Sequence, residues 1–79
     1  MPNLTLSEVG PGKAVRATLT MPAMDRVYVV ETVVPIEPKL GEWGLSVAAD
    51  QAQREVMTIA GKMQAGEKLT AKEKRKVRT

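Results

Sequence analysis

With 79 residues, 12 basic and 9 acidic side chains and a net charge of +3, the chain is one small basic domain, near the size at which a single core is only marginally stable. It has no cysteine and no histidine, which excludes disulfides and thiolate zinc sites and removes the commonest neutral metal ligand and general base. Oligomerisation or docking on a larger partner is the remaining way to stabilise so short a chain.

Leu4 and Leu6 alternate with Thr5 and Ser7, predicting a strand over about 3–9. Gly10-Pro11-Gly12 then breaks the chain. Gly10-Pro11-Gly12-Lys13 resembles a fragment of a phosphate loop, but it lacks the longer glycine-to-lysine spacing and a following helix, so it reads as a hairpin turn. Val15, Ala17, Leu19 and Met21 alternate with polar residues, giving a second strand over 13–21. Pro22-Ala23-Met24-Asp25 is the expected turn, and the β-branched run from Arg26 to Val34 is the third strand, ended by Pro35 and Pro38.

A four-residue turn at 22–25 sets a register in which paired residue numbers sum to 47. It places Leu19 opposite Tyr28, Ala17 opposite Val30, Val15 opposite Thr32, and Arg16 opposite Glu31. One sheet face is then apolar throughout. The other carries Val27, Val29 and Val33, too apolar for open water, so it predicts a dimer or partner interface or cover from the 35–44 loop.

After that loop, Leu45, Ala48, Ala52, Val56, Ile59 and Met63 recur at steps of three and four, predicting an amphipathic helix over about 46–65 with Ser46 as N-cap and Gly66 as its stop. Met57 and Met63 read as core residues of that helix, and Gly61 in mid-helix suggests close helix packing. Trp43, between flexible residues in Gly41-Glu42-Trp43-Gly44, either closes the core or anchors an interface.

Thr70-Ala71-Lys72-Glu73 matches a capping box, so a short basic helix should follow. Only Val77 could pack, and Lys72/Lys76 and Lys74/Arg78 are like-charge pairs at i, i+4. Residues 70–79 are therefore expected to be frayed alone and to order only against an anion.

Charge is segregated along the chain. Residues 1–61 hold five bases against seven acids, whereas residues 62–79 hold seven bases (Lys62, Lys68, Lys72, Lys74, Arg75, Lys76, Arg78) against two acids. A basic end of this kind is a phosphate contact for nucleic acid, a docking point for an acidic protein surface, or a solvated tail. Its closing stretch, residues 70–79, has no Asn, Gln or aromatic side chain with which to read bases, so any nucleic-acid contact there would be non-specific.

The expected fold class is α+β: a three-stranded antiparallel β-meander packed on one long amphipathic helix, residues 1–66, with a basic helix or tail over 67–79. No nucleophile–base pair, carboxylate set or calcium-loop spacing supports an enzyme, a cofactor or a metal. No helix-turn-helix, ribbon-helix-helix, swapped-hairpin transition regulator or cold-shock barrel keeps its defining residues here. The N-terminus has no secretory signal pattern and no apolar run is long enough to span a membrane, so the expectation is a soluble cytoplasmic protein. The leading functional expectation is a small regulatory or accessory protein that binds nucleic acid through residues 62–78, as a homodimer. The alternative is an inhibitor or adaptor, of the kind phages and plasmids encode, that binds protein through Val27, Val29, Val33 and Trp43.

Overall fold

The structure, a computed structural model, describes residues 3–79. Strands β1 (Asn3–Val9), β2 (Ala14–Ala23), β3 (Arg26–Pro35) and β4 (Val77–Arg78) form one antiparallel sheet in the order β1-β2-β3-β4. Helix α1 (Trp43–Ala65) packs on one face of it, chiefly over β2 and β3, and the single-turn helix α2 (Ala71–Lys74) leads into β4. The fold is thus α+β, with four strands rather than the three expected. Among the described residues no helix is long and apolar enough to cross a membrane.

The first hairpin turns at Gly10–Lys13, where the Lys13 N–H donates to Gly10 O at 2.8 Å. Gly10 and Gly12 take the left-handed φ values of 59° and 74° that such a turn needs. The second hairpin differs from expectation. Pro22 and Ala23 belong to β2, the turn is Met24-Asp25 alone, and the paired residue numbers sum to 49. Pro22 is tolerated in the strand because its nitrogen points away from β3, so the β2–β3 ladder loses no donor.

A shift of two residues keeps every side chain on its expected face but changes every partner. Leu19 meets Val30, Ala17 meets Thr32, Val15 meets Val34, and Arg16 meets Val33. Glu31 sits opposite Thr18, whose Oγ1 donates to Glu31 Oε2 at 3.3 Å. The Arg16–Glu31 ion pair survives as a diagonal contact of 4.0 Å.

Val15, Ala17, Leu19, Met21, Val30 and Val34 from the sheet bury against Ala48, Ala52, Val56, Ile59 and Ala60 of α1. Met63 is half-buried, while Leu45 and Met57 are exposed, contrary to expectation. The helix also starts three residues earlier than Ser46, with Glu42 as N-cap and no side-chain cap bond. Gly44 makes that start possible: a Cβ there would lie 2.9 Å from Glu37 O and from Ile36 Cγ2, so only glycine lets the first turn approach the preceding loop. Gly66 stops the helix as expected, with φ 74° and its N–H donating to Met63 O at 3.3 Å. Gly61, by contrast, has open space where a Cβ would stand, and no close helix packing accounts for it.

Candidate functional site

The basic tail does not extend from the body. Thr70 caps α2 in the expected reciprocal way: the Glu73 N–H donates to Thr70 Oγ1 at 3.1 Å and the Thr70 N–H donates to Glu73 Oε1 at 2.9 Å. The Lys62 ammonium reaches the same carboxylate at 2.9 Å from α1. The Thr70 amide first, and Lys62 second, hold the Glu73 carboxyl below the usual carboxylate range. Beyond α2, the Lys76 ammonium meets Glu55 Oε1 at 2.9 Å, and the Glu31 N–H donates to Lys76 O at 2.8 Å. Val77 then packs against the core beside Val30, and Arg78 lies 3.6 Å from Glu31.

These contacts divide the seven cations into two sets. Lys62, Lys76 and Arg78 are committed to Glu73, Glu55 and Glu31. Lys68, Lys72, Lys74 and Arg75 are exposed and, among the described residues, make no ion pair. A shallow cleft of about 390 Å³ between α1 and α2 gathers Lys72, Arg54, Gln51 and Thr58, with Arg54 held by Asp50 at 3.0 Å.

On the sheet, the face away from α1 has no second layer among the described residues. Val27 is 51% exposed, Val33 49%, and Val29 is half-buried. The loop that might have covered them turns the other way, with Ile36 and Glu37 against the start of α1. β1 and β2 add Asn3, Thr5, Ser7, Thr18 and Thr20 to this face. Arg16 and Arg78 converge on Glu31, leaving the valine strip bordered by one net positive charge.

Trp43 does not join that face. It is the first residue of α1, 68% exposed, and lies nine residues, or two and a half turns, from the wholly buried Ala52. It therefore projects from the side of α1 opposite the sheet, together with exposed Val47 one turn on. It neither closes the core nor shares a surface with the valines.

Sequence reasoning did not single out Glu31 and Glu55 as the acids that secure the tail, nor Val47 as a neighbour of Trp43. The capping box was the one local signal that the tail had a defined start. Comparison with protein-family models, curated proteins and solved structures finds no match.

Proposed function

We propose that this is a small non-enzymatic protein of the regulatory or accessory kind that acts in the cytoplasm by docking on another protein through its open sheet face. The observation that carries the reading is the outward row of Val27, Val29 and Val33 on β3, left half exposed on a face that alternation would ordinarily make polar. Arg16 and Arg78 flank the row, so the complementary surface is apolar with a carboxylate at its border.

A second reading, nucleic-acid association, is favoured by a different observation: the four cations within Lys68–Arg75 that make no ion pair among the described residues. Four phosphate contacts suit non-specific binding, but three of the seven candidate cations are already occupied within the molecule.

A pull-down from host lysate separates the two. The variants are Val27→Glu and a quadruple alanine at Lys68, Lys72, Lys74 and Arg75, each run with and without nuclease. Truncation at residue 69 is unsuitable because it removes β4 and the clasp on α1. Docking through the sheet predicts a defined protein that survives nuclease, is lost with Val27→Glu and is kept by the quadruple variant. Recovery of nucleic acid alone, lost with the quadruple variant and steeply salt-dependent, would overturn it.

A further inference from the structure

The two edges of the sheet are treated differently. The β3 edge is blunted: β4 covers Val29 and Val30, Pro35 lacks a donor, and Lys76 and Arg78 stand beside it. The outer edge of β1 has none of these devices. Its pairing with β2 runs unbroken from Asn3 to Val9 without a bulge, and the strand contains no proline and no lysine.

Backbone alternation fixes which of its groups face out. The Ile36 N–H donates to Lys13 O at 2.9 Å, and the Glu31 N–H donates to Lys76 O at 2.8 Å, so even-numbered residues of β3 bond toward β2 and odd ones toward β4. Carried through the two registers, this turns the odd residues of β1 toward β2. The N–H and C=O groups of Leu4, Leu6 and Glu8 face outward, unpaired among the described residues.

The side chains of Leu4 and Leu6 share the face of Leu19 and Ala17, but α1 sits chiefly over β2 and β3, leaving Leu6 41% exposed. A trough of about 490 Å³ runs between Leu4 and the Gln53, Met57 and Gly61 flank of α1. That flank carries no charge, whereas the flank toward α2 carries Asp50, Arg54, Glu55 and Lys62. An occupant of the β1 edge must therefore be an extended, uncharged strand, because a charged side chain laid in the trough would have no counter-ion.

We propose that a second copy of this chain fills the edge, the two β1 strands pairing antiparallel about a two-fold axis at Thr5 to join two four-stranded sheets into one of eight. In that register Leu4 meets the partner's Leu6 on the helix side, and Asn3 meets the partner's Ser7 on the open side. The outward groups of Leu4 and Leu6 then bond to those of the partner's Leu6 and Leu4. The flexible Met57 side chains reach over the four leucines from both sides. The only charge on β1, Glu8, falls outside the paired segment. Its carboxylate stands about 20 Å along the strand from the partner's, beyond a Debye length of about 8 Å. The edge is thus complementary to itself in shape and in charge.

Sedimentation velocity of the full chain, from about 1 μM to about 200 μM, tests this across the affinity range of an unstapled small interface. The expected result is a species of twice 8.6 kDa. Leu6→Lys, which sets an ammonium opposite the partner's Leu4 in the proposed register, should raise the concentration needed for dimer at least about tenfold, while Val33→Lys on the other face leaves it unchanged. Amide exchange on the unmodified chain supplies a readout that needs no variant. Leu4 and Leu6 should slow as concentration rises, whereas Thr5 and Ser7, bonded to β2, stay protected throughout. A monomer at every concentration, a dimer indifferent to Leu6→Lys, or exchange at Leu4 and Leu6 independent of concentration would each overturn the proposal. The first of these would leave β1 to a foreign strand.

Discussion

Lys76 Nζ lies 2.9 Å from Glu55 Oε1, joining the start of the last strand to the middle of α1 across 21 residues of sequence. Both side chains are partly shielded, at 23% and 33% exposure, so the pair is screened less than one on open surface. It orients the segment that supplies β4.

A double-mutant cycle of Lys76→Ala and Glu55→Ala, followed by urea unfolding, should give a coupling energy near the upper end of about 0.2–1 kcal/mol. A zero coupling would mean that β4 is held by Val77 and the backbone alone.

Glu73 gives the clasp an acid limit. Its carboxyl is held low by the Thr70 amide and by Lys62, so the folded state binds that proton less readily than the unfolded chain. The stability it contributes is fully present above the ordinary carboxylate pKa of about 4.3 and is lost as pH falls through the depressed folded value. Unfolding curves at neutral pH and at about pH 3 should therefore diverge more for the native chain than for Glu73→Gln.

Two glycines of one helix should respond in opposite directions. Gly44→Ala brings a methyl to 2.9 Å from Glu37 O and Ile36 Cγ2 and should destabilise by about 1–3 kcal/mol despite alanine's better helix propensity. Gly61→Ala meets open space and should stabilise by about 0.5–1 kcal/mol. Thermal denaturation of the two variants side by side checks both signs.

The β2–β3 turn stores local strain. Met24 has φ 53°, Asp25 does not take positive φ, and the Met24 side chain is fully exposed with nothing to gain from its position. This is the II′ pattern, which favours glycine at the first central position. Met24→Gly should raise stability by about 0.5–1 kcal/mol net of the added freedom of the unfolded chain, read from the denaturant midpoint.

The strands and the main helix were legible in the sequence because each rests on local period: two along Val15–Met21, three to four along Ala48–Ile59. The turn was misread because Pro22 reads as a breaker until its nitrogen is known to point away from β3. The fourth strand was not legible at all. Its two residues have no period, and its partners Val29 and Val30 are distant in sequence, as is Glu55, which holds the preceding Lys76. For the same reason seven cations looked alike in the sequence, whereas the fold engages Lys62, Lys76 and Arg78 and, among the described residues, leaves Lys68, Lys72, Lys74 and Arg75 without an ion pair. The valine row was visible from alternation, but its separation from Trp43 depends on where α1 begins.

The position of Trp43 also decides what light can report about this molecule. It is the one tryptophan of the chain and projects from the outer side of α1, so its emission should already resemble that of indole in water and change little as the core melts. Fluorescence would then be a poor thermometer of folding but a selective detector of contact. A blue shift on adding any partner would place that partner over the start of α1, and silence during a binding event would assign it to the sheet or to β1.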